Sequence, residues 1–284
     1  MPAIAVEPVT ALDTGAGPSR AGRSGPPASR AWRGAAAGLG LVAVTIVLCL
    51  VGAAPIVQYA YPVAAVVLAL GFLLRRSWYS YFTFTIVMWL LSSEVRRFAD
   101  WKTVYHEQSL ISVTASLVSL VALPWALSAR RRVHRDVAVL MVIAMVALSY
   151  GLISGALQNG MAPALADVLY LVAPFVTGLY VLTVLPDDRR LQQVIRSIAV
   201  WGCIGLGAYG ILQFLALPPW DAAWIADSGV TNLGDPVPGE FRVFSTLSTT
   251  GPLGQVLAAL LLLLVAERRI VRQSIAAAAG LIAL

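Results

Sequence analysis

Two polar segments of an otherwise apolar chain carry residues that could do chemistry. The first, SSEVRRFADWKTVYHEQ, holds Glu94, Arg96, Arg97, Asp100, Lys102, His106 and Glu107. Guanidinium groups offer paired donors to phosphate oxygens, so Arg96 and Arg97 could bind a diphosphate. Asp100 lies one helical turn beyond Arg96 and could orient it. The competing reading is a solvated loop whose charges pair with each other or with lipid headgroups. The second segment, LPPWDAAWIADSGVTNLGDPVPGEFRVFSTLSTTG, holds Glu240 beside Arg242. Trp220 and Trp224 could rest at a membrane interface, the commoner use, or stack on a sugar ring. Ser245, Thr246, Ser248, Thr249 and Thr250 lead into Gly251 and Pro252, which suit a helix start with Thr250 as its cap. A helix N-terminus there could favour a phosphate.

The elements that must position these residues are apolar helices. The chain has 284 residues, 59% hydrophobic and only 12% charged, with a mean hydropathy of +0.80. Apolar runs long enough for a hydrocarbon core of roughly 30 Å recur along it. In lipid such runs must be helices or a closed barrel, and their continuous Ala, Leu and Val composition reads as helix. The expected fold is therefore all-α, a polytopic transmembrane bundle. Eight full spans are expected at about 36–54, 57–74, 77–93, 109–128, 137–155, 166–185, 198–217 and 252–266. They leave polar loops at about 94–108 and 218–250. Residues 1–34, rich in Pro, Gly, Ser, Ala and Arg, read as a disordered basic tail, and 35–284 as the helical domain. A final apolar run from Ser274 to Leu284 is too short to cross as it stands, so the chain is expected to be a fragment or its last span incomplete.

Charge fixes an orientation. With a cytoplasmic N-terminus, 16 of the 20 Lys and Arg fall on the cytoplasmic side. The four on the other face are Arg96, Arg97, Lys102 and Arg242. A net charge of +6 is explained by this topology, and no nucleic-acid partner is expected. Cys49 and Cys203 lie inside spans and show no metal spacing. His134 and the Asp187–Asp188 pair sit in basic clusters and read as loop charges. No phosphate loop or dinucleotide fingerprint is present. No Asp, Glu, Lys or Arg lies near the centre of an expected span, where ion-coupled transporters need one.

The stretches LSSEVRRFADW, GAYGILQFLALPPWDAAWI and FRVFSTLSTTGPLGQVLAALLLLL resemble the O-antigen ligase/polymerase family of bacterial membrane proteins, above all its exopolysaccharide-polymerase-like members. The resemblance covers roughly residues 70–284. It implies a glycosyltransferase of the bacterial cytoplasmic membrane, joining glycan from a polyprenyl-pyrophosphate carrier to a polysaccharide or lipid acceptor. It implies no cofactor and no metal. The expected partners are the bilayer, a lipid-linked oligosaccharide and other polysaccharide-assembly proteins. Arg96, Arg97 and Asp100 match the family's R-R-x-x-D pattern. Arg242 matches its arginine before a late span, read here with Ser245 and Thr246. Those four residues are the expected catalytic set, with Trp220, Trp224, Glu240, Ser245 and Thr246 as substrate contacts. Asp100, Glu240 and His106 are the candidates for a base. Typical members of the family are longer, with a large outer loop and further spans beyond the point that corresponds to Leu284. A non-enzymatic transporter or flippase, and a scaffold of an export complex, are the alternatives.

Overall fold

A computed structural model describes residues 27–265, apart from 107–108, 130–134, 186–187 and 231. Among the described residues the chain forms ten helices and no named strand. They are α1 (Pro27–Leu50), α2 (Ala54–Leu74), α3 (Trp78–Lys102), α4 (Leu110–Leu120) and α5 (Leu123–Ser128). There follow α6 (Arg135–Asn159), α7 (Met161–Val184), α8 (Asp188–Ala216), α9 (Pro219–Asp227) and α10 (Thr250–Val265).

Among the described residues, six segments are long and apolar enough to cross a membrane: Trp32–Leu50, Ala54–Leu74, Leu110–Ser128, Val139–Asn159, Pro163–Val184 and Arg189–Ala216. Each falls on an expected span. The protein is thus an all-helical, multi-pass membrane protein whose apolar helices contact the bilayer. α10 is apolar but has 16 residues. Six arginines of the expected basic clusters between spans (Arg130, Arg131, Arg132, Arg268, Arg269 and Arg272), His134, Asp187 and the run 274–284 lie outside the described residues. Most of the expected tail does too, although Pro27 to Gly34 belong to α1.

α3 has a different character because it is the interior helix. It packs on α1, α2, α4, α7, α8 and α9, and buries every residue from Tyr79 to Thr85. A helix enclosed on all sides must satisfy its polar groups internally. Thr83 and Thr85 donate to carbonyls one turn back, at 2.9 and 3.0 Å. The Tyr81 hydroxyl donates to the Val118 carbonyl at 2.7 Å, and the Trp89 indole to Ser119 Oγ at 3.0 Å. α6 is the opposite case: none of its apolar window is buried, and Leu140, Val142 and Ile143 face outward as lipid-facing residues do.

Turn chemistry marks the helix ends. Gly52 takes φ 90 between α1 and α2, and Gly160 takes φ 89 between α6 and α7, a conformation that a side chain would strain. The expected span 109–128 is divided in two, since Pro124 has no N–H to give and its ring crowds the preceding turn.

The long helices alternate in direction. Gln58 at the start of α2 meets His106 beyond α3, Nε2 to Nδ1 at 3.2 Å. At the opposite end Tyr180 of α7 donates to the Trp78 carbonyl at 2.9 Å, and Arg190 of α8 lies 4.4 Å over the Tyr79 ring. The two ends of α3 are separated by about 37 Å at 1.5 Å per residue. Arg96, Arg97, Asp100, Trp220 and Arg242 all gather at the Lys102 end.

One boundary differs from expectation in a way that matters. The segment 94–108 is not a loop from its start: α3 continues to Lys102. Glu94, Arg96, Arg97 and Asp100 therefore stand on a helix, with fixed and diverging directions. The expected loop 218–250 likewise contains α9.

Candidate functional site

Successive residues of a helix point about 100° apart, so Arg96 and Arg97 cannot share one environment. Arg97 turns inward. Its side chain is fully buried and meets the Glu94 carboxylate on its own helix. Its Nη2 also donates to the Ser245 carbonyl at 2.6 Å. Nη1 lies 2.9 Å from Asp221 Oδ1, at an angle that completes no hydrogen bond for either atom. The guanidinium carbon sits 4.7 Å over the Phe244 ring.

Glu94 and Asp221 are joined from the other side by α8. The Tyr209 hydroxyl is 2.7 Å from Glu94 Oε1 and 2.9 Å from Asp221 Oδ2. Trp220 Nε1 reaches Glu94 Oε1 at 2.7 Å and the Tyr209 hydroxyl at 2.8 Å. Gln213 donates from Nε2 to Asp221 Oδ2 at 2.8 Å, and its Oε1 accepts from the Phe244 and Ser245 amides. The network fastens α3, α8, α9 and the segment before α10 into one unit. Burial is the largest influence on Asp221 and pushes its carboxyl above the ordinary value, the Arg97 charge opposing it and Glu94 reinforcing it.

Arg96 turns toward the surface. Its Nε donates to Asp100 Oδ2 at 3.3 Å and its Nη2 to the His106 carbonyl at 2.6 Å. The guanidinium lies 5.0 Å from the Trp224 ring and 5.6 Å from Tyr105, and those rings stack edge-on at 5.7 Å. Asp100 thus orients Arg96, as the spacing implies. Its other oxygen, Oδ1, has no hydrogen-bond partner among the described residues and lies 3.9 Å from His106 Nδ1. Burial raises the Asp100 carboxyl, with the Arg96 charge as the chief opposing influence. The His106 side chain is 48% exposed.

The remaining expected residues divide by exposure. Arg242 and Glu240 are exposed, and no side-chain partner of Arg242 occurs among the described residues. The Arg242 amide donates to the Leu233 carbonyl at 2.7 Å, beside the bridge between Gly234 and Phe241. Gly234 has φ 95, and a Cβ there would press on the Glu240 carbonyl. Trp220 is half-buried, its ring against Phe98 and Trp101, and Trp224 donates to the Ser248 carbonyl at 3.2 Å.

Two expectations change here. Arg97 is enclosed by its carboxylate partners and does not sit at an open mouth. Ser245 is fully buried with φ 51, and its amide, hydroxyl and carbonyl are all engaged, the hydroxyl donating to the Leu206 carbonyl at 2.7 Å. Thr246, 7% exposed, donates to the Leu90 carbonyl at 2.7 Å. Both serve to hold the segment after Arg242 in place. Asp221, Tyr209 and the bridging role of Gln213 escaped the sequence reading. The available signal was an acid in the first turn after the helix-starting prolines 218 and 219, with Gln213 in the apolar C-terminal half of α8 before it.

An apolar groove of about 480 Å³ runs between α1, α3 and α8, walled by Trp32, Leu39, Val87, Leu90, Trp201 and Leu206. It reaches Tyr209 and Thr246 at the network end and Arg190 at the other. Cys49 and Cys203 are buried and unpaired. Among the described residues no group of three or more His, Cys, Asp or Glu is placed to hold a metal ion. Compared with known proteins, the chain matches no family model, no curated protein and no solved structure.

Proposed function

We propose that the protein is a membrane glycosyltransferase that joins glycan units from a polyprenyl-pyrophosphate carrier to a growing polysaccharide or lipid acceptor. The observation that carries the reading is Arg96, its side chain 14% exposed, aimed by Asp100 and flanked by Tyr105 and Trp224, at the same end of the bundle as the exposed Arg242. The resemblance of the surrounding stretches to the O-antigen ligase/polymerase family supports it. The two cations would bind the diphosphate, and the groove between α1, α3 and α8 would take the isoprenoid tail.

In this reaction an acceptor hydroxyl forms a bond to the anomeric carbon while the bond from that carbon to the phosphate oxygen breaks. Polyprenyl diphosphate leaves with both electrons, and the hydroxyl proton passes to a base. Negative charge grows on the leaving group, so a fixed guanidinium stabilises the transition state more than the ground state. Of the three candidate bases, His106 has the best placement. Its imidazole is half exposed, with Nδ1 3.9 Å from Asp100 Oδ1 and 3.2 Å from Gln58 Nε2, so the ring is positioned and open to an incoming hydroxyl. Glu240 has no such orienting partner among the described residues.

The test is polymer formation in cells carrying full-length protein. Arg96→Ala and Arg242→Ala are expected to abolish the polymer at normal protein level, and His106→Ala to slow it. Normal polymer in both arginine variants removes the reading. The buried charges Glu94, Arg97 and Asp221 favour a second reading, a carrier for a lipid-linked solute. Movement of labelled donor across proteoliposomes with no glycan joined would select it.

A further inference from the structure

The Glu94–Tyr209–Asp221 contacts contain more oxygen pairs than protons. A phenol has one proton to donate, yet the Tyr209 oxygen lies 2.7 Å from one carboxylate oxygen and 2.9 Å from another. If both carboxylates were ionised, one of those contacts would set two acceptors against each other at hydrogen-bond distance. Trp220 does not resolve this, because its N–H already points at Glu94 Oε1 and at the phenol oxygen as a donor. The Gln213 amide is likewise committed, its N–H to Asp221 and its oxygen to two backbone amides. Charge gives the same count. Arg97 faces two carboxylates, which leaves a fully ionised cluster one negative charge in excess, in a region where Arg97 and Asp221 have no solvent exposure. An uncompensated buried charge is costly, and one bound proton removes it.

We propose that Glu94 and Asp221 hold a single shared proton across Tyr209, making this cluster a proton-binding site that is neutral when filled and singly negative when empty. The facing groups are Glu94 and Arg97 from α3, Tyr209 and Gln213 from α8, and Trp220 and Asp221 from α9. The segment before α10 contributes the Ser245 carbonyl. Arg96, on the same turn of α3 as Glu94 and Arg97, pairs with Asp100 one turn further along. The Glu94 side chain retains 10% exposure, against none for Asp221, and is the route by which the proton enters and leaves. The site stands whether the protein transfers glycan or carries a solute.

Occupancy ties α9 to α8, so it has a stability signature. Burial raises the Asp221 carboxyl, and the folded chain therefore binds the proton more tightly than the unfolded one. That contribution is complete below the ordinary value of 3.8 and is lost as pH rises through the folded value.

Infrared difference spectra of the full chain in detergent, in H2O and D2O, read the proton directly. At about pH 6, ordinary carboxyls with pKa near 4 are ionised. The wild type is expected to show a carboxylic-acid carbonyl band there that shifts in D2O and fades with alkali. Asp221→Asn and Glu94→Gln should each remove it and flatten the pH dependence of the melting temperature. Asp100→Asn should leave it. A wild type without the band, a band that survives in whichever of the two cluster variants folds, or a band that Asp100→Asn abolishes overturns the proposal.

Discussion

At the scale of single residues, Arg96 and Arg97 show how one step along a helix changes a side chain's work. Arg96 reaches a cage of Tyr105 and Trp224 near the surface, whereas Arg97 closes a buried network with Glu94 of its own helix, the Ser245 carbonyl and Asp221 of α9. Removing one member of a buried pair leaves the other charge uncompensated, which costs about 3–5 kcal/mol. Arg97→Ala is therefore expected to lower the thermal stability of the purified protein sharply. Arg97→Lys should restore only part of it, since a point charge cannot serve Glu94, Asp221 and the Ser245 carbonyl together. Arg242 is exposed, and Arg242→Ala is expected to stay within about 0.5 kcal/mol of wild type. Equal stability losses in the Arg97 and Arg242 variants would contradict this division. The sequence shows the adjacent arginines and their R-R-x-x-D spacing, and from it the Arg96–Asp100 contact. It does not show which arginine turns inward, because that depends on Asp221 and Tyr209 arriving from distant helices.

At the scale of elements, the apolar helices were legible because lipid leaves a long apolar segment few options. The end of α3 was not. Glu94, Arg96, Arg97 and Asp100 read as loop residues when charge alone is considered, but α8 and α9 supply the hydrogen bonds that let the helix continue. α3 also sets the tightest packing, against α1. The Gly34 Cα lies against the Ser80 carbonyl, so closely that an added Cβ would collide with backbone. One turn on, a Cβ at Gly38 would come within 2.7 Å of Val87 Cγ1, a side chain with some freedom to move. Overpacking of this kind costs about 1–3 kcal/mol. Gly34→Val should thus destabilise the detergent-solubilised protein more than Gly38→Ala does, as read by thermal unfolding. The reverse order would mean that α1 and α3 do not meet as described.

For the whole molecule, alternation of the helices places the residues after α3 and those before α10 at one end, and the α2–α3 turn at the other. Single cysteines at Val104 and Glu240, both exposed positions, should label from one side of the membrane. A cysteine at the exposed Arg76 should label from the opposite side. Cys49 and Cys203, both buried, are replaced by Ala to remove background. Labelling of Val104→Cys and Glu240→Cys from opposite sides would separate Arg96 from Arg242 and dissolve the proposed diphosphate site. The central claim is tested most directly by glycan transfer from a polyprenyl-diphosphate donor, using purified full-length protein in lipid nanodiscs. The account expects transfer by the wild type, and its loss in both Arg96→Ala and Arg242→Ala while the fold melts normally. Undiminished transfer by both variants would contradict it.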